Sequence, residues 1–251
     1  MDQKPDLRMH SPPDPFHLHP GLRDKIKDPA QSFFRTFRLE NFLEEHPELA
    51  WVAEFMHSDD KREALRRAFL ADHADYDLWV FAYGSLMWDP AFEFSEVRRA
   101  FVPDYARRFI LKDMLGGRGN PDSPGLMAAL DHGDGCEGLI FRIDGDRVEN
   151  ETEILWRREQ VGPAYHAEFV TAVAGDQQIK VLAFTADHTA DQICGDITRD
   201  EQIEYLLGGK GILGTSLEYL SNIVSQFEAL GIVDDECSSL LAEAKAASQA
   251  P

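Results

Sequence analysis

From Leu78 onward the chain alternates short apolar runs with Gly, Pro and Asp turns, at 78–83, 108–112, 126–130, 136–143, 165–173 and 179–184. Runs of this length, bounded by turn residues and rich in branched and aromatic side chains, predict β-strands. One segment among them has a different period. Residues 150–160 read as a helix, with Asn150 as its cap and Glu153 as the reciprocal partner of a capping box. Gly162-Pro163 then stops it. After Thr198 the spacing is helical again, through 201–207, 216–230 and 234–247, with Gly208-Gly209 and Gly231 as breaks. Sheet, one embedded helix, sheet and a helical flank make an α+β domain over 78–251.

Upstream, apolar residues recur at helical spacing in three groups: Leu39, Phe42 and Leu43; Leu49, Val52, Phe55 and Met56; Leu65, Ala68 and Phe69. Pro47 interrupts them, so 31–77 is expected to form a helical N-terminal appendage of two or three short amphipathic helices. Residues 1–30 mix Pro, His and charge without apolar periodicity, which predicts a flexible leader unless it docks on the body.

Composition narrows the function classes. A chain of 251 residues with 43% hydrophobic residues can fill a real core, and no run approaches the length of a membrane span. A soluble, cytoplasmic protein is the expectation. The net charge of −20 repels nucleic acid and anionic membranes, so neither is an expected partner. Cys136, Cys194 and Cys237 are too widely spaced for a disulfide framework or a metal knuckle and read as free thiols. His17 and His19 lack a neighbouring cluster of ligands, so no metal site is expected. The G-x-G-x-x-G at 209–214 follows a predicted helix, whereas a dinucleotide site needs a strand feeding that turn. Gly116-Gly117-Arg118-Gly119 has no Lys-Ser or Lys-Thr after it and reads as a loop that can bound a pocket.

Two segments carry candidate chemistry. The apolar run Val80-Phe81-Ala82 ends in Tyr83-Gly84-Ser85-Leu86, a glycine turn whose exposed amides can hold a carboxylate or carbonyl oxygen. Ser85 lacks a nucleophile elbow, so backbone or hydroxyl binding is its expected use. A β-branched residue at Gly84 would crowd the turn and restrict its dihedrals. In the second segment, Glu159 faces the negative end of its helix and follows Leu155 by one turn, on the side expected to be apolar. Both effects disfavour its charged form and suit a general base. Periodicity alone equally allows a surface glutamate balanced by Arg157 and Arg158.

In order and spacing, Val80 to Leu86, Gly125-Leu126, Cys136-x-Gly138 to Ile143, Leu155 to Glu159 with Tyr165, and Glu218-Tyr219-Leu220 resemble the ChaC-type γ-glutamylcyclotransferases. The resemblance covers residues 78–241 and implies a small mixed β-barrel with flanking helices. It also implies a cofactor-free lyase-type enzyme that cleaves a small-molecule γ-glutamyl substrate, glutathione, to 5-oxoproline and cysteinylglycine. It places the acid/base on Glu159, the substrate loop on Val80, Phe81, Ala82, Tyr83, Gly84, Ser85 and Leu86, an arginine-glycine loop on Arg118-Gly119, and pocket tyrosines on Tyr165 and Tyr219.

The chain also departs from the family pattern. Ala82 stands where relatives have Gly, and Ser216 where many have Asn. Met114 to Gly117 replace polar side chains before the arginine-glycine pair, which bears on what lies beyond the γ-glutamyl group. Two other readings stay open: a cyclotransferase for other γ-glutamyl peptides or amines, and a non-catalytic γ-glutamyl-binding module. Neither the oligomeric state nor the role of 1–77 is legible.

Overall fold

Strand pairing closes a barrel. The computed structural model describes residues 14–72 and 76–249. Its strands are β1 (Leu78–Ala82), β2 (Glu96–Val102), β3 (Tyr105–Asp113), β4 (Gly125–His132), β5 (Cys136–Ile143), β6 (Tyr165–Ala174) and β7 (Gln177–Ala186). They run in the order β1-β5-β2-β6-β7, and β7 returns to β1 in parallel through Val80 and Leu182. β4 and then β3 extend the sheet from the outer side of β7. The other neighbours in the ring are antiparallel, so the barrel is mixed. Its strands contribute fully buried Val80, Phe81, Leu139, Phe141, Leu182 and Phe184 to the hydrophobic core.

β2 was not among the expected strands, and without it the ring has no link between β5 and β6. Its sequence hides the strand because Arg98 and Arg99 interrupt the apolar pattern. Arg98 lies over the Trp79 ring at 4.9 Å, and Arg99 pairs with Glu137 at 3.0 Å, so both charges are accommodated against β1 and β5.

The appendage contains α1 (Phe33–Thr36), α2 (Leu39–Glu45), a 3-10 stretch (Pro47–Phe55) and α3 (Asp59–Leu70). It is fastened to α4 (Val148–Glu159), the helix embedded between strands. Arg35 bonds Glu151 at 2.6 Å, Arg38 bonds Glu153 at 2.8 Å and Arg66 bonds Glu149 at 2.7 Å. The expected Asn150–Glu153 capping box is absent: the helix starts earlier, after Arg147 without a side-chain cap, and Glu153 is committed to the appendage.

Residues 14–30, expected as a flexible leader unless docked, are docked. Leu22 and Ile26 are buried; the Val97 amide donates to Pro15 O, the Arg99 amide to His19 Nε2 and the Lys27 amide to Trp88 O. Residues 1–13 of that segment lie outside the described residues. The helical flank consists of α5 (Arg199–Gly208), α6 (Ser216–Leu230) and α7 (Asp235–Ala247). Thr198 with Glu201 and Thr215 with Glu218 form capping boxes at the starts of α5 and α6. The G-x-G-x-x-G segment lies in a short hairpin between these helices, Lys210–Gly211 pairing with Gly214–Thr215, and it follows α5 and not a strand.

Candidate active site

A cavity of ≈ 240 Å³ opens where β1 ends, bordered by Tyr83, Gly84, Ser85, Leu86, Glu159, Tyr165 and Tyr219. Val80, Phe81 and Ala82 do not border it. They are fully buried because both faces of β1 are covered, so that alternate side chains on either face are enclosed, and only the turn that follows reaches the cavity. Arg118 does not border it either. Its guanidinium donates to Thr215 O at 3.0 Å and lies 4.8 Å over the Tyr219 ring, which it supports from behind.

The turn is held from both sides. A 3-10 turn over Ser85–Met87 directs the Met87 amide to Gly84 O at 2.9 Å, while the amides before it have no partner within the turn. Arg107, buried from β3, donates through Nε to Tyr83 O at 2.6 Å and through Nη2 to Glu137 O at 2.5 Å, and pairs with Asp234 at 2.7 Å. Sequence reading missed this arginine, since its partners come from distant elements. At Gly84 a side chain is excluded by contact: a Cβ there would meet the Tyr219 hydroxyl at 2.6 Å.

Glu159 ends α4 with its side chain largely buried. Burial raises its pKa, and the adjacent Arg158 guanidinium, 3.1 Å away through Nε, pulls in the opposite direction. Of the two arginines read as balancing it, only Arg158 does so; Arg157 donates instead to Arg35 O at 3.1 Å. Arg158 also donates to Ser85 Oγ at 2.7 Å and to Asp89 O, tying the carboxylate to the glycine turn. The Tyr83 hydroxyl donates to Phe184 O at 3.0 Å and that of Tyr165 to Ala128 O at 3.1 Å. Burial pushes both phenols well above their ordinary pKa, and Tyr219 to about 12, so all three are neutral donors at physiological pH.

The loop after β3 borders the cavity through Leu115, Gly116 and Gly117. Asp113 shapes it by accepting from the amides of Leu115, at 2.8 Å, and Arg118. Ser216, the departure from Asn, is fully buried and accepts from the Leu126 amide at 2.8 Å, joining α6 to β4. The opposite side of the cavity comes from the appendage, notably Phe34, Phe37, Phe42 and Met56.

Residues 78–247 match the family model described as "ChaC-like protein". The chain is 32% identical over 200 residues to the glutathione-specific gamma-glutamylcyclotransferase of Escherichia coli (strain K12), covering 78% of this chain and 83% of that protein. It is 34% identical over 160 residues to the glutathione-specific gamma-glutamylcyclotransferase 1 of Homo sapiens, covering 61% of this chain and 71% of that one. A solved yeast gamma-glutamylcyclotransferase specific to glutathione superposes with a TM-score of 0.63 at 19% identity, over 68% of this chain and 96% of that chain, a likeness of fold. Among the described residues no helix is long and apolar enough to cross a membrane.

Proposed function

The chain belongs to the ChaC-like family, and on that premise we propose that it cleaves glutathione to 5-oxoproline and cysteinylglycine, with Glu159 carrying the proton. The observation that carries this reading is a buried carboxyl of raised pKa bordering the same cavity as a glycine turn. The substrate's α-amino group attacks its own γ-carbonyl carbon, forming the lactam C–N bond as the amide C–N bond to cysteine breaks. No water is consumed.

An α-ammonium is a poor nucleophile, so it first gives one proton to solvent; the free amine then sheds a second as the ring closes, and the leaving nitrogen must receive one. Glu159 takes the proton shed on ring closure and delivers it to the leaving nitrogen. Because the attack is intramolecular, the chief contribution of the protein is to hold the γ-glutamyl chain folded. The turn Tyr83–Leu86 supplies amides for its polar head, steadied by Arg107 at one end and Arg158 at the other. Tyr219 borders the cavity as a neutral hydroxyl suited to the developing oxyanion, while Tyr165, whose proton goes to Ala128 O, shapes the wall beside it.

The test is 5-oxoproline release from glutathione, followed by mass spectrometry, with the wild type and Glu159→Gln. We expect product from the wild type and at least a hundredfold drop in kcat for the variant, in line with loss of general acid/base catalysis (about 10² or more). Near-normal turnover by the variant would remove Glu159 from the mechanism. A soluble, cytoplasmic setting suits a small thiol peptide substrate and the net charge of −20.

A further inference from the structure

The wall that the appendage adds to this cavity is apolar and incompletely packed. Neither α1 nor α2 contains a fully buried residue, although Phe34, Phe37, Phe42 and Leu43 all turn toward the cavity. Their apolar faces border empty space instead of a closed core.

Two contacts fix this wall beside the reacting group. Phe34 lies 4.3 Å from the Arg158 guanidinium that pairs with Glu159. The His57 amide donates to Val161 O at 2.8 Å, setting Met56 against the segment just after Glu159. Leu115 and Leu213 face the same space from the catalytic domain.

Polar recognition is sparse there. Of the two cations bordering the cavity among the described residues, Arg158 is engaged by Ser85, Asp89 and Glu159, and Lys112 lies 4.7 Å over the Tyr205 ring. The wall therefore matches an apolar substituent better than the bare, polar cysteinylglycine leaving group.

Resting on the γ-glutamyl reading above, we propose that the preferred substrates of this chain are glutathione S-conjugates with an apolar S-substituent, which lies against Phe34, Phe37 and Phe42. The sulfur is attached through one methylene to the carbon bearing the leaving nitrogen, so a substituent on it starts close to the reacting centre, in the cavity that Glu159 shares with this wall. The reaction balances as for glutathione. The α-nitrogen bonds to the γ-carbonyl carbon, the amide C–N bond breaks, and one proton passes through Glu159 to the leaving amine. The products are 5-oxoproline and the S-substituted cysteinylglycine, with no change of oxidation state.

The test measures kcat/KM for 5-oxoproline release by the full chain from glutathione and from its S-methyl, S-propyl and S-hexyl derivatives. A fully buried methylene is worth about fourfold, so partial cover of the hexyl chain gives a rise of about tenfold or more from S-methyl to S-hexyl. Phe37→Ser and Phe42→Ser should flatten that slope, with Tm measured to establish that each variant is folded. Turnover of glutathione with a flat or falling series in the wild type overturns the inference and leaves the cyclotransferase reaction standing. Absence of 5-oxoproline from every compound overturns both.

Discussion

A methyl group on Gly84 would sit 2.6 Å from the Tyr219 hydroxyl oxygen and 3.7 Å from the ring carbon that bears it. The first separation is far inside contact and the second is ordinary. Tyr219 has little room to retreat: it is buried, Trp88 packs at 5.7 Å and Phe109 at 6.3 Å between ring centroids, and the Arg118 guanidinium lies over its face at 4.8 Å. Gly84→Ala should therefore cost about 1–3 kcal/mol, the usual range for overpacking. In a Tyr219→Phe background the offending oxygen is gone, and the same substitution should cost only about 0.5 kcal/mol or less, as for a volume change that fits. Urea unfolding of the four proteins then gives a coupling of about 1–2 kcal/mol, with the double variant more stable than the sum of the singles. Additivity within about 0.5 kcal/mol would mean that Tyr219 does not occupy the space in front of Gly84.

Stability should also report the state of Glu159. Its pKa is raised on folding, so it stabilises below its unfolded pKa and loses that contribution as pH rises through the folded value; Glu159→Gln should gain in Tm relative to wild type from acid to neutral pH. A Tm difference that stays constant or shrinks over that range would contradict the burial argument. Arg107→Met should cost about 3–5 kcal/mol in urea unfolding, because it strands Asp234 and the carbonyls of Tyr83 and Glu137. A loss below about 1 kcal/mol would show the turn to be held by other means.

What the sequence made legible was local. The flanking helices, read over 201–207, 216–230 and 234–247, lie at Arg199–Gly208, Ser216–Leu230 and Asp235–Ala247, and the end of α4 follows from Gly162-Pro163, because breaks and stops are written within a few residues. The start of α4 misled for the opposite reason: Asn150 and Glu153 have a capping spacing, but Glu153 is drawn to Arg38, more than a hundred residues away. Closure of the barrel could not be read, since β2 carries two arginines whose partners lie on other strands. Of the candidate site residues named from the sequence, the glycine turn, Glu159 and the two tyrosines border one cavity in the structure. The reason for Gly84 was only half visible. Its φ of −130 needs no glycine, and the exclusion comes from a tyrosine delivered by α6.

The appendage was legible as helices but not as part of the site, and α4 explains why it belongs there. The first turns of this helix present Glu149, Glu151 and Glu153, where carboxylates suit the positive end of the dipole, and each is taken by an arginine of the appendage. Its middle buries Leu155 and Trp156, with Trp156 packed 5.3 Å from Phe184 of the barrel. Its last residue is Glu159, where the dipole and burial both oppose a negative charge. Arg158 is the counterweight, and the same guanidinium reaches Ser85 of the turn and stacks on Phe34 of the appendage. The proton affinity of Glu159, the position of the turn and the seating of the aromatic wall thus meet at one side chain. An appendage docked this way shapes the cavity above the carboxylate and packs on the guanidinium that pairs with it.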